Sequence, residues 1–218
     1  MIVNKSVIDY INSLEKELPP YLNKLEKDAN RDHIPIICKE TQALIRFLIT
    51  LLSPNKILEI GTAVGFSALF MSEYMPIEST ITTIEKTEMR LEKARINLST
   101  SPKSDKITLL EGDATTILKE LVEKENKPFD FIFLDAAKGQ YMNFLPNIMD
   151  LLSTKGILVT DNVLQGGTIA SSRYAINRRD RTIHSRMREY LYTITHMEEL
   201  ETVIIPIGDG VTLSTKIK

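Results

Sequence analysis

Residues 56 to 71 read KILEIGTAVGFSALFM: a short apolar strand, a turn holding Gly61 and Gly65, and an apolar helix in immediate succession. Glycine is needed where backbone must leave a strand, turn sharply and let a ligand approach the N-terminus of the next helix. The segment is therefore a candidate nucleotide-cofactor turn. It is not the dinucleotide pattern G-x-G-x-x-G, because Thr62 and Ala63 occupy the middle and no third glycine follows. A plain tight strand-to-helix turn is the other reading of the same residues.

Outward from this segment the pattern alternates. Apolar strand candidates lie at 56 to 60, 80 to 85, 106 to 110, 129 to 134 and 156 to 160, with helical stretches of about 12 to 20 residues between them, the signature of parallel βαβ units. After a helical segment near 177 to 196, ETVIIPI and VTLSTKI flank Gly208-Asp209-Gly210, which predicts an antiparallel hairpin at the sheet edge. The expected fold is α/β, a doubly wound, mostly parallel sheet of seven strands with helices on both faces. Upstream, amphipathic stretches at 4 to 18 and 21 to 30 are separated by Pro19 and Pro20, which interrupt helix. KETQALIRFLITLL, residues 39 to 52, repeats apolar residues at helical spacing before the stop at Ser53-Pro54-Asn55. One domain over 1–218 is expected, with a helical cap at 1–38 and the core at 39–218.

Composition narrows the function. The 218 residues are 43% hydrophobic with a net charge of -2, enough for a sizeable core and without the global basic excess that announces nucleic acid. Any polyanion must meet a local patch. Cys38 is the only cysteine, and His33, His184 and His196 are scattered, so neither a disulfide, a zinc site nor a nucleophile–base pair can be built. MIVNKSVIDYINSLEKEL lacks an apolar signal core, and no stretch approaches the roughly 20 apolar residues that span a bilayer. A cytoplasmic protein without a membrane partner is expected.

Glu85 closes the strand TITTIE, where a carboxylate can accept hydrogen bonds from both hydroxyls of a ribose. Asp113 follows Gly112 after ITLLE, within reach of an adenine edge. Each alone reads equally as a helix cap or turn acid; at the ends of successive parallel strands they together favour an adenosine site. FDFIFLDAAKGQY ends a strand with Asp135, and KGILVTDNV ends the next with Asp161-Asn162. Two carboxylates and an amide, without histidine or thiolate, suit a hard six-coordinate cation such as Mg²⁺. The alternative is that both aspartates cap the following helices. Lys138, one helical turn after Asp135, is a candidate general base, or else a surface lysine.

Together these residues resemble the class I, cation-dependent methyltransferases, the catechol and caffeoyl-CoA O-methyltransferase family, over nearly the whole chain. The matching segments are ILEIGTAVGFSALFM, TIE ending at Glu85, EGDA ending at Ala114, FIFLDAAKGQY, TDNVL and IPIGDGVTL. The resemblance implies a Rossmann-like methyltransferase fold and S-adenosylmethionine held by Gly61, Thr62, Gly65, Ser67, Glu85, Asp113, Ala114 and Asp135, with the Ile37 region closing over methionine. It implies Mg²⁺ or Mn²⁺ on Asp135, Asp161 and Asn162, with Asp135 and Lys138 as catalytic residues, and a homodimer. Within the family the chain is most similar to the short bacterial members that methylate 5-hydroxyuridine at the wobble position of tRNA. Gln165-Gly166-Gly167 departs from the bulky apolar or basic residue expected after DNVL.

In 5-hydroxyuridine the 5-hydroxyl neighbours the 4-carbonyl, the same two-oxygen chelate that a catechol offers, so the chemistry permits either acceptor. SSRYAINRRDRTIHSRMREY, residues 171 to 190, bears on the choice: Arg173, Arg178, Arg179, Arg181, Arg186 and Arg188 face only Asp180 and Glu189. Read as helix, it turns 178, 181 and 188 one way and 179 and 186 another. It is a candidate contact for the tRNA anticodon loop, with Tyr174 or another ring to stack on a base; a solvated helix and an anchor for a CoA-linked phenol are the other readings.

Overall fold

The structure, a computed structural model, describes residues 3–124 and 127–218. Strands β1 (Lys56–Ile60), β2 (Thr80–Glu85), β3 (Ile107–Glu111), β4 (Phe129–Leu134), β5 (Leu152–Thr160), β6 (Leu200–Ile205) and β7 (Val211–Lys216) form one sheet in the order β3-β2-β1-β4-β5-β7-β6. The pairs among β1 to β5 are parallel, and β7 runs antiparallel to both neighbours. The expected edge hairpin is therefore present, with β7 inserted beside β5. Strand order reverses between β1 and β4, and this reversal opens a crevice at the carboxyl ends of the strands.

Alternation along the strands divides the core. On one face Ile57, Ile81, Phe131, Phe133 and Val159 pack against helices α2 (Pro20–Arg31), α3 (Lys39–Leu52) and α4 (Phe66–Tyr74). On the other, Leu58, Ile60, Ile132, Leu134 and Leu158 meet α6 (Ala114–Lys124), α7 (Tyr141–Leu151) and α8 (Arg181–His196). Phe131, Ile132, Phe133 and Leu134 are all fully buried, because a central parallel strand has no face in water. Between β2 and β3 lies α5 (Glu88–Ser99).

Several element boundaries differ from the sequence reading. The first helix, α1 (Lys5–Ser13), stops five residues short of 18: Leu18 precedes Pro19, which disfavours helical backbone, and Glu15 turns to an ion pair with Arg46 of α3. β5 begins at Leu152, before the left-handed Lys155 (φ 66°) and beside an irregularity in its pairing with β4. Three of the intervening helices are shorter than expected, α4 with nine residues and α6 and α7 with eleven. Most consequentially, α8 starts at Arg181, and Gln165–Ala170, Arg173–Ala175 and Arg178–Asp180 are separate 3-10 turns. The last of these closes through a backbone bond, Asp180 N–H to Asn177 carbonyl at 3.0 Å, the three-residue spacing of a 3-10 turn. The helical-wheel grouping of Arg178 and Arg179 with the α8 arginines therefore does not hold.

Candidate active site

Register places the site. Ile60 pairs with Ile84 and Leu134, and Leu134 pairs with Thr160, so β1, β2, β4 and β5 end nearly flush. The next residue of β1 is Gly61, of β4 Asp135 and of β5 Asp161, and β2 ends on Glu85 itself. Ladder bonds run past the strand ends: Asp135 N–H to the Ile60 carbonyl and Asp161 N–H to the Leu134 carbonyl, each at 3.0 Å. Gly61 (φ 110°) fits because nothing larger can: a Cβ there would lie 2.0 Å from the Asp135 carbonyl oxygen.

A cavity of about 690 Å³ opens above these ends. Gly61, Ala63, Glu85, Asp113, Ala114, Asp135, Lys138, Asp161 and Asn162 all line it, with Pro35 and Ile36 forming a lip and Phe144 of α7 an apolar wall. Four other sequence-derived cofactor residues are set back from it. Ile37 is buried, and its carbonyl accepts from Gln42 Nε2 at 3.0 Å. Thr62 is buried with its hydroxyl 2.6 Å from that of Thr83. Gly65 (φ 87°) caps α4 against Leu98, and Ser67 lies in the first turn of α4.

Glu85 is strapped to the turns around it. Its Oε1 accepts from the N–H groups of Lys86 and Thr87, both at 2.9 Å, and its Oε2 from Ala63 N–H at 3.0 Å. Arg90 Nη1 stands 3.7 Å away. Asp113 accepts from Thr115 N–H at 2.9 Å and from Lys86 Nζ at 3.2 Å, and the Thr115 backbone bond, more than the lysine, holds its carboxyl below the usual range. These acids are fixed by backbone donors before any ligand arrives.

The second group of acids is fixed differently. Burial pushes Asp161 up to about 7, and repulsion from Asp135 adds to it; Asn162 N–H, 2.7 Å from Asp161 Oδ1, and Lys138 pull the other way. Burial likewise raises Asp135, opposed by Lys138 and Arg90. Among the described residues neither aspartate makes an ion pair, and no three His, Cys, Asp or Glu side chains are grouped to hold a metal. A divalent cation on two carboxylates and the Asn162 amide would meet an all-oxygen donor set and relieve that repulsion, so the residues present fit the ion.

Sequence reading missed two charged groups. Glu59, fully buried in β1, accepts from the Thr83 hydroxyl at 2.5 Å while its other oxygen has no partner; burial pushes it up to about 7 against the pull of the Ser67 and Thr83 hydroxyls. A carboxylate inside the apolar run KILEI was the signal. Arg90 lines the cavity from α5, and sequence alone gives no means to tell it from a solvated helical arginine.

None of the six arginines of 171 to 190 lines the cavity. Arg186 donates to the Gly139 carbonyl at 2.9 Å, and Arg188 reaches the Ser171 carbonyl at 3.5 Å. Arg181 is half-buried and lies 6.0 Å from the Tyr174 ring centroid. Arg173, Arg178 and Arg179 are exposed, as is Tyr174 at 86%.

Against known proteins, a family profile described as O-methyltransferase matches residues 12–217. The chain belongs to the O-methyltransferase family. It is 28% identical over 180 residues to caffeoyl-CoA O-methyltransferase 1 of Zea mays, covering 80% of this chain and 69% of that one. A candidate caffeoyl-CoA O-methyltransferase from Staphylococcus aureus superimposes with a TM-score of 0.85 at 29% identity, over 97% of this chain and 98% of the other. The O-methyltransferase TomG of Streptomyces achromogenes, involved in tomaymycin synthesis and solved with S-adenosylmethionine, shares the fold with a TM-score of 0.85 at 24% identity, over 98% and 96%. Among the described residues no helix of this O-methyltransferase is long and apolar enough to cross a membrane.

Proposed function

We propose that this O-methyltransferase uses S-adenosylmethionine and a divalent cation, Mg²⁺ or Mn²⁺, to methylate a hydroxyl flanked by a second oxygen, and that its acceptor is 5-hydroxyuridine at the wobble position of tRNA. The observation that carries the chemistry is the flush ending of β1, β4 and β5, which sets Asp135 and Asp161 on the wall of the same cavity as Glu85 and Asp113. S-adenosylmethionine supplies a sulfonium methyl, which transfers to an in-line oxygen. A bound cation supplies positive charge that lowers the acceptor hydroxyl's pKa. The chain's own residues do the rest: Glu85 receives the ribose hydroxyls, Asp113 and Ala114 meet the adenine edge, and Lys138 takes the acceptor's proton. Asp135, between the two halves, orients both.

The nucleic-acid acceptor is supported by Arg173, Arg178, Arg179 and Tyr174, exposed on the segment that follows Asn162; they offer phosphate contacts and a stacking ring for an unpaired base. A second reading, a catechol-like or CoA-linked phenol, is favoured by the similarity to caffeoyl-CoA O-methyltransferases and by the absence of those arginines from the cavity wall. Incubation with S-adenosylmethionine, Mg²⁺ and tRNA bearing 5-hydroxyuridine, beside parallel incubations with such phenols, separates the two. Nucleoside mass spectrometry should show 5-methoxyuridine, lost on chelation. Faster methylation of a phenol selects the second reading, and undiminished turnover in chelator removes the cation from both.

A further inference from the structure

The hairpin turn between β6 and β7, part of the segment IPIGDGVTL, has no task in the reaction described so far. It lies against the loop that carries Asn162. Val163 N–H donates to the Gly210 carbonyl at 2.9 Å and Leu164 N–H to the Asp209 carbonyl at 2.8 Å. Gly210 is buried at φ 86°, and a Cβ there would come within 2.3 Å of Leu164 Cγ. On its other side the turn touches α3: a Cβ on Gly208 would lie 2.6 Å from Cys38 Sγ.

These contacts bear on a backbone that needs holding. Asn162 adopts a left-handed conformation, φ 58°, which asparagine tolerates better than most residues but which still persists only where its surroundings fix it. The residue before it supplies one restraint, Asp161 Oδ1 accepting from Asn162 N–H at 2.7 Å. The two residues after it are tied to the turn. Asp209 is exposed, and the bond from Leu164 N–H to its carbonyl sets it beside the loop that carries Asn162.

We propose that Gly208-Asp209-Gly210 is the positioning element of the cation site. Its carbonyls hold the Asn162 loop in the conformation that presents the amide, and Asp209 adds a negative charge outside the ligand shell. The inference rests on the cation reading given above. Supports beyond the ligands commonly set metal affinity by roughly 10- to 100-fold, so the turn is expected to influence the ion without touching it.

Titration of the full chain with Mn²⁺ alone, with free ion read by electron paramagnetic resonance, tests this without any acceptor. Asp209→Asn should weaken Mn²⁺ binding about threefold, the charge being exposed and screened, and Gly210→Ala about tenfold. S-adenosylmethionine affinity, measured by calorimetry, should be unchanged in both variants. Superimposable Mn²⁺ titrations of parent and variants overturn the proposal, as does parallel loss of Mn²⁺ and S-adenosylmethionine affinity, which marks general distortion. If Gly210→Ala does not fold, Asp209→Asn decides alone. A parent that binds no Mn²⁺ overturns the cation reading itself, an outcome distinct from equal binding by parent and variant.

Discussion

The carboxyl edge of the sheet and the segment at 165 to 180 that follows it are built on different terms. Along the edge, Glu85 is held by three backbone N–H groups and Asp113 by one, and Gly61 is pressed against the Asp135 carbonyl. Beyond Asn162, the chain makes three short turns with left-handed backbone at Gln165, Gly166 and Gly167. Gln165 Nε2 there, and Arg181 Nε and His184 Nδ1 in the adjoining α8, are buried without partners. One region is over-determined by register and ladder bonds; the other is held mainly by short-range turn bonds such as Ser171 N–H to the Thr168 carbonyl and Ala175 N–H to the Ser172 carbonyl. On the function proposed above, the difference separates the part that holds donor and cation from the part that meets the acceptor.

Gly61→Ala should break the first region outright. With Cβ this close to backbone and φ in the glycine region, a stability loss of about 3 kcal/mol or more is expected in urea unfolding. Retention of parent stability would mean the strand ends are free to part, and the contrast would fail.

A smaller effect tests the buried charge beneath the glycine turn. Folded Glu59 keeps its proton up to about 7, against 4.5 for an ordinary glutamate, so the unfolded chain binds fewer protons between those values. Stability must then fall as pH rises from about 4.5 to about 7, by up to about 1.4 kcal/mol per pH unit from this group. Glu59→Gln should flatten that slope in metal-free protein, measured by urea unfolding across the range; an unchanged slope would place the charge elsewhere.

The smallest effect on the fold is expected in the second region. Replacing Arg173, Arg178 and Arg179 together by Ala should move stability by no more than about 0.5 kcal/mol. If tRNA is the acceptor, the same variant binds it more weakly and lowers the salt slope by about 2. Methylation of a small phenol should be untouched. A large loss of stability would show that these arginines belong to the built region after all.

The same division governs what the sequence discloses. FDFIFL could be only a buried strand, and its register with KILEI follows from two apolar runs that both end where polar or glycine residues begin. That made Asp135, Asp161, Asn162, Glu85 and Asp113 legible as cavity residues. Thr62 and Ser67 were legible only as members of a motif, because whether a turn residue faces a cavity or a buried hydroxyl network depends on the packing of Glu59 and Thr83 beneath it. The arginines misled for a related reason: a helical wheel assumes a helix, and Asn177 and Asp180 break it before Arg181. Arg186 reads as charge but acts through a hydrogen bond to Gly139, 47 positions away in sequence, which no local pattern encodes.

The contact between Gly61 and the Asp135 carbonyl has one further consequence. It makes the glycine turn after β1 and the end of β4 a single wall, spaced by hydrogen-bond register. With donor and acceptor on the two sides of that wall, as proposed, the sheet gauges the gap the methyl group crosses. If 165 to 180 meets the acceptor, as proposed, its redesign could proceed without recalibrating the transfer itself, as a tool may take a new jaw while its hinge stays set.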